Sequence, residues 1–277
     1  MNLTDTHCHL DLEQFDADRD EVIQRAIKAG LTHILVPSLT GTSSRITVKL
    51  AESNPMLYAA VGVHPNEAET WDGQTISSLK ELAAQSLKVA AIGEIGLDYY
   101  WNKSSHDEQI SIFKEQLALA SELDLPVVIH SREKEDAQQG ECAEDLIKIL
   151  EEWVTGLRSG NEALSQRPGV LHSFSGSIET AKRAIDLGFY IGVTGPITYK
   201  NAEQKRQVLG NLPMERLLVE TDAPYLSPEP YRGKRNEPAF VIHIADKIAE
   251  IKSRSPQEVM AATTENAARL FSWGESV

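Results

Sequence analysis

A TIM (β/α)8 barrel, an α/β fold, is the class this sequence predicts, on three observations. Short β-branched runs alternate with amphipathic stretches along almost the whole chain, eight such runs can be counted, and no block is strand-only or helix-only. A length of 277 residues permits two domains but also matches one α/β barrel. With no linker, low-complexity segment or residue-level repeat, a single domain over 1–277 is expected. A doubly wound open sheet is the competing architecture, but the first strand-to-helix turn lacks the glycine-rich fingerprint that dinucleotide sites use there.

The elements follow in order. Leu3 to His7 reads as the first strand, and Asp16 to Ala29 as a helix with Val22, Ile23, Ala26 and Ile27 at helical spacing and Gly30 as its stop. His33 to Pro37 is the second strand; a helix from about Ser43 to Ser53, capped by Thr42, Ser43 and Ser44, leads to the third, Leu57 to Val63. Thr75 to Gln85 is helical, and Val89 to Ile95 is a near-continuous apolar strand of the kind buried on both faces. The helix His106 to Leu123 precedes the remaining strands, Pro126 to His130, Gly169 to His172, Phe189 to Val193 and Leu217 to Glu220. Helices near 143–153, 178–187 and 201–211 separate them, and Ala239 to Ile251 and Pro256 to Leu270 close the chain. The polar stretch from Arg158 to Arg167 is expected to be an exposed loop.

Composition narrows the class. Apolar residues make up 41% and charged residues 25%, which excludes disorder as the main state. The net charge of −14 repels phosphate backbones at long range and argues against a sequence-independent nucleic-acid coat protein. The two cysteines, Cys8 and Cys142, are too few for a disulfide framework, so a reducing cytoplasm is expected. No basic and apolar leader and no run of 18 apolar residues is present, so membrane insertion and export are not expected.

Chemistry concentrates at strand ends. Five of the eight histidines fall there: His7 and His9, His64, His130 and His172. Strands 4 and 8 end in Glu94 and Asp222. In a parallel barrel these ends gather on one rim, where active sites of this architecture lie. His7 and His9, two apart on a strand, face the same way. Four imidazoles and two carboxylates, from His7, His9, His130, His172, Glu94 and Asp222, form a borderline donor set for divalent ions and suffice for two. Glu94 has the two oxygens and the charge that a bridge between cations needs.

At these residues the chain resembles the TatD family of metal-dependent deoxyribonucleases, which are amidohydrolase-type barrels. The resemblance runs through Thr4 to Asp11, Val61 to Pro65, Ile92 to Asp98, Pro126 to Arg132, Val170 to Gly176, Leu218 to Pro224 and Arg232 to Pro238, in the family's order. It implies that His7, His9, Glu94 and Asp222 hold one metal and Glu94, His130 and His172 the other, with Mg, Mn or Zn as the ions. It further implies hydrolysis of DNA phosphodiester bonds, from an end and on short or single strands. Lys134 and the length of the 133–168 segment depart from the family pattern, and both bear on substrate choice.

Within that reading Asp222 is the expected proton acceptor, adjacent to the nucleophilic water, while Glu94 is structural and electrostatic. His64 either contacts substrate phosphate or supports the ligands from behind; Arg132 either contacts substrate or pairs with a nearby Glu. Asp5 either orients a ligand histidine or is a hydrogen-bonded buried carboxylate, and Glu220 is expected to make a supporting polar contact. The 232–238 run either closes part of the rim or is a surface turn, and Tyr99, Tyr100 and Trp101 either stack on a base or pack their loop. His33, His106 and His243 are expected at ordinary surface or core positions. The rival functions are a barrel hydrolase acting on another ester or amide, such as an aminoacyl-tRNA deacylase, and a metal-binding scaffold without turnover. Glu94 at the end of strand 4, where amide-cleaving relatives often use a carboxylated lysine, counts against the amide reading.

Overall fold

The computed structural model describes residues 2–101 and 103–273. Eight parallel strands are ordered β1 to β8: Leu3–Asp5, Leu31–Pro37, Leu57–Val61, Val89–Asp98, Val127–Arg132, Gly169–Leu171, Tyr190–Val193 and Leu217–Val219. The helices between them are α1 (Arg19–Lys28), α2 (Gly41–Ser53), α3 (Thr75–Gln85), α4 (His106–Leu123), α5 (Glu141–Gly160), α6 (Glu162–Gln166), α7 (Ile178–Asp186) and α8 (Glu203–Gly210). After β8 come α9 (Val241–Lys252) and α10 (Pro256–Phe271). Each strand pairs with the next in sequence, and the expected barrel is the observed fold.

The first and last strands do not form a ladder with each other. Closure is made by the segments that follow them, through a parallel bridge between Cys8 and Ala223 and through Thr6 N–H donating to the Val219 carbonyl. The buried Asp5 carboxylate fastens the same seam, accepting from Thr221 N at 2.9 Å and Thr221 Oγ1 at 2.5 Å. The alternation of side chains along the strands sorts the core into two layers. Leu35, Ala60, Ala91, Val128, Val170, Tyr190 and Leu218 cluster together with Ala267, Leu270 and Phe271 of α10, which thereby plugs the end of the barrel at which the strands begin. Their neighbours Ile34, Val36, Val61, Ile92, Ile129 and Leu171 belong to the larger layer beneath the helices. The opposite rim is left for chemistry.

Three expectations are corrected. The residues expected as an exposed loop, 158–167, are mostly helical: α5 runs to Gly160 and buries Leu157, and the Asn161 side chain accepts from Leu164 N to start α6, which buries Leu164. The cap of α2 is Thr40, in a reciprocal capping box with Ser43, rather than the cluster that follows it. β4 continues three residues beyond Ile95, where Gly96, Leu97 and Asp98 pair with His130, Ser131 and Arg132. Gly96 permits this with φ +139°, and a Cβ there would lie 2.1 Å from the His130 carbonyl oxygen. The extension carries Asp98 to His130.

Candidate metal centre

At the rim, the segment after β1 delivers His7 and His9, β4 delivers Glu94 and Asp98, β5 delivers His130, and the turns after β3, β6 and β8 deliver His64, His172 and Asp222. All eight candidate residues except Arg132 converge here. The Nε2 atoms of His7 and His9 meet at 3.2 Å. Glu94 Oε2 lies 3.2 Å from the first and 3.7 Å from the second, and Asp222 Oδ1 lies 3.8 and 3.5 Å from them. The other Glu94 oxygen, Oε1, faces away from this pair, toward His130 Nδ1 at 2.9 Å, His64 Nε2 at 3.7 Å and His172 Nε2 at 3.8 Å. Glu94 therefore presents one oxygen to each half of the cluster. His172 lies between the halves, stacked on His7 with ring centroids 3.4 Å apart and its Nε2 3.9 Å from Asp222 Oδ1.

The partner of each ring's far nitrogen separates ligands from donors, because a neutral imidazole has one N–H and one lone pair. His172 Nδ1 donates to Glu220 Oε2 at 3.1 Å, leaving the Nε2 lone pair for the centre. His130 Nε2 donates to Asp98 Oδ2 at 3.0 Å, leaving Nδ1 for the Glu94 side. These are the carboxylate–histidine pairs that orient metal ligands. His64 has the opposite polarity. Its Nδ1 accepts from Asn66 N–H at 3.0 Å, so the proton of its neutral ring is on Nε2, pointing inward as a donor. Although His64, Glu94 and His130 are close enough to hold an ion, in this tautomer His64 turns an N–H, and no lone pair, toward the centre.

Electrostatics reinforce the division. Burial pushes His7 down, and pushes His64 down to about 3, so both rings are neutral at pH 7. Burial also opposes charge on His9 and His130, but the hydrogen bonds they donate to their carboxylate partners prevail and raise each to about 9. His172 is raised as well, by Glu94 and Glu220 against the effect of burial. For Glu94 burial raises the carboxyl, yet His7, His172 and His130 outweigh it and hold it well below the usual range. Asp222 is likewise lowered, by His9 and its neighbours against burial. A pocket that gathers ionised carboxylates and drives protons onto three of its five histidines is one that favours added positive charge. The imidazole and carboxylate donors and their convergence fit a divalent-ion site.

Several residues matter in ways their sequence positions did not announce. Asp98, 1% exposed, accepts from His130, from Asn66 Nδ2 at 2.8 Å, and from the backbone of Tyr100 and Trp101. Asn236, fully buried, donates to the carbonyls of Thr221 at 2.8 Å and Tyr225 at 2.6 Å, so the 232–238 run holds the Asp222 turn in place. Arg25 of α1 with Glu237, and Arg235 with Asp18 just before α1, tie that run to the first helix and its start. Asp222 itself has φ +56°, a left-handed conformation that costs a non-glycine residue about 1 kcal/mol or more, and such strain clusters at functional sites. Asp5 also accepts from His7 N, and so holds backbone instead of an imidazole. Glu220 makes the expected supporting contact, with space for its carboxylate because residue 192 is Gly; a Cβ there would lie 2.2 Å from Oε2. Arg132 pairs with Asp136, through Nε at 2.8 Å, and not with a glutamate. His33 stacks on Trp273, and His106 on Tyr99, away from the centre.

A family model described as TatD related DNase matches residues 4–272. The metal-dependent hydrolase YabD of Bacillus subtilis strain 168, described as uncharacterized, is 42% identical over 269 residues, covering 97% of this chain and 98% of its own length. The 3'-5' ssDNA/RNA exonuclease TatD of Erwinia tasmaniensis is 37% identical over 277 residues, covering 98% of this chain and 97% of that protein. The crystal structure of YjjV, a TatD homolog from Escherichia coli K12, superposes with a TM-score of 0.87 at 34% identity over 98% of both chains. On the family match, on these identities at nearly full coverage, and on a barrel whose rim gathers the donor set of a metal site, the chain belongs to the TatD-related DNase family of metal-dependent hydrolases.

Proposed function

We propose that residues 1–277 form one hydrolase domain that cleaves DNA phosphodiester bonds from the end of a single or frayed strand, using two divalent ions, Mg, Mn or Zn. The observation that carries this reading is the division of Glu94: Oε2 toward His7 and His9, Oε1 toward His130 and His172. His7, His9, Glu94 and Asp222 would hold one ion, and Glu94, His130 and His172 the other. The chemistry such ions supply when bound is acidification of water and neutralisation of charge on phosphoryl oxygens. The 37% identity to a protein named as a 3'-5' ssDNA/RNA exonuclease supports a nucleic-acid strand as substrate.

The chain's own groups divide the remaining work. Asp222 takes the proton of the attacking water as the new O–P bond forms, and returns it to the oxygen of the departing nucleotide as the bond from that oxygen to phosphorus breaks. Glu94, with both oxygens engaged and its carboxyl held well below the usual range, stays ionised and fixes the two halves relative to each other. His64 donates its Nε2 proton to a non-bridging phosphate oxygen, and the Arg132 guanidinium contributes charge farther out on the rim. The centre is recessed, with the side chains of His130 and Asp222 only 17% and 14% exposed. A flexible strand end reaches such a recess more readily than a duplex. The −14 net charge, unfavourable for a polyanion elsewhere, would be offset locally by cations held at this centre.

The reading also assigns a cytoplasmic setting, supported by the two free, buried cysteines, Cys8 and Cys142. Among the described residues no helix is long and apolar enough to cross a membrane. The test is turnover of end-labelled single-stranded DNA by chelator-treated protein resupplied with Mg²⁺, Mn²⁺ or Zn²⁺, beside aminoacyl-tRNA as the competing ester. Stepwise shortening of DNA that stops with chelator is expected. Deacylation of aminoacyl-tRNA with intact DNA would replace this reading by the deacylase, and metal binding without turnover of either would leave a scaffold.

A further inference from the structure

Three aromatic side chains of the described residues, apart from histidines, are more than a third exposed: Tyr100 at 38%, Trp101 at 55% and Tyr225 at 49%. An exposed Trp or Tyr sacrifices burial, and three scattered at random would fall anywhere on the surface. All three lie on the catalytic rim, in the segments that follow β4 and β8 and close in sequence to candidate ligands. Tyr100 and Trp101 follow β4, whose Glu94 is the candidate bridge; Tyr225 follows β8 and Asp222. In an eight-stranded barrel β4 and β8 are four places apart and so lie on opposite sides of the centre.

Both positions are built instead of merely exposed. The backbone N–H groups of Tyr100 and Trp101 donate to Asp98 Oδ1 at 3.0 and 3.1 Å, and the other oxygen of that carboxylate holds His130. The Arg132 guanidinium lies 3.9 Å from the Tyr100 ring centroid and 5.6 Å from that of Trp101, a cation under an aromatic pair, and is itself tied to Asp136. Across the rim the Tyr225 ring meets His9 edge-on at 6.3 Å, and its carbonyl is held by buried Asn236. Rings fixed in place with exposed faces offer flat π-surfaces at little cost in conformational entropy, which is what an unpaired nucleobase uses for stacking.

We infer that Tyr100–Trp101 and Tyr225 are two base-stacking platforms that grip consecutive unpaired nucleotides on either side of the scissile phosphate. This rests on the phosphodiesterase reading and deepens it: the substrate is recognised by its base faces as well as by its phosphate. A paired base presents no free face, so the platforms select single strands, and stacking accepts any base, so digestion is expected to be sequence-tolerant. Arg132 acts through the aromatic pair: it packs on the Tyr100 ring, which stands at 75° to Trp101 and so props the Trp101 ring from its edge.

The experiment compares a ten-nucleotide thymidine strand with a strand of the same length whose three terminal positions at the digested end are abasic, for wild type, Trp101→Leu, Trp101→Tyr and Tyr225→Leu. The wild type is expected to have a KM about tenfold lower on the base-bearing strand. Trp101→Leu should lose about that factor in KM with kcat changed less than twofold, should leave KM on the abasic strand unchanged, and should be rescued by Trp101→Tyr. A second readout needs no turnover: in chelator-treated protein the thymidine strand should quench tryptophan fluorescence, the abasic strand should not, and the quench should vanish in Trp101→Leu. Equal KM for both strands in the wild type, or equal loss on both in Trp101→Leu, overturns the platforms and leaves the phosphodiesterase standing. Absence of cleavage of either strand overturns the phosphodiesterase reading, and the fluorescence arm then decides the platforms by itself.

Discussion

The two halves of the rim solve the same problem in different ways. At the seam between the first and last strands, His7 and His9 offer converging Nε2 atoms, while their Nδ1 atoms have no hydrogen-bond partner among the described residues. Across Glu94, both ring nitrogens of His130 face carboxylates, and His64 is fixed by a backbone N–H. Convergence alone marks the seam histidines as candidate ligands. On the other side proximity is insufficient, since His64 and His130 are both near Glu94 Oε1, and only the far-nitrogen partner tells a ligand from a proton donor. Such a site is to be assigned by tautomer as well as by distance.

The largest effect should come from the residue common to both halves. Glu94→Gln keeps the shape but removes the charge, and is expected to lower kcat/KM by about a thousandfold or more with little change in thermal unfolding. Next comes Asp222→Asn, with a loss of about 10²- to 10⁴-fold in kcat as proton transfer fails, measured on the same labelled strand. Asp98→Asn should cost about ten- to a hundredfold in ion affinity or activity through a freed His130 ring, with Glu220→Gln doing the same through His172. His64→Ala, which removes a donor and no ligand, should leave ion affinity unchanged while activity falls; weakened ion binding in that variant would make His64 a ligand and erase the distinction between the halves.

The smallest effect is on stability. In chelator-treated protein the Asp98 carboxyl is lowered to about 2 from 3.8, because the hydrogen bond from His130 and its charge, with other donors, overcome burial. A lowered folded value means a contribution present above the unfolded value and lost as pH falls through about 2. His130, raised to about 9 from 6.5, contributes fully below 6.5 and loses that contribution as pH rises through 9. The pair should therefore stabilise most between about pH 4 and 6.5. Thermal unfolding of wild type against Asp98→Asn should show their difference shrinking on both sides of that window, and a pH-independent difference would mean the two groups are not coupled.

The barrel and six candidate ligands were legible in the sequence for a simple reason: apolar runs mark strands, and in parallel topology every strand end reaches one rim. Legibility ended where function depends on register and tautomer. Asp98 lies in a motif visible in the sequence, but its contact with His130 requires β4 to run past Gly96, which an apolar-run reading stops short of. The donor character of His64 depends on one backbone N–H from Asn66. Asn236 reaches the Asp222 turn only through the folded course of the 232–238 run, and Leu157 and Leu164 turn a polar-looking stretch into helix by being buried.

The most direct measurement of a Glu94-bridged centre is ion stoichiometry by equilibrium titration of chelator-treated protein with Mn²⁺, for wild type, Asp98→Asn and Glu94→Gln. Two ions per chain are predicted for wild type, one of the two weakened in Asp98→Asn, and both weakened in Glu94→Gln. No bound ion in the wild type, or two ions at undiminished affinity in Glu94→Gln, would contradict it.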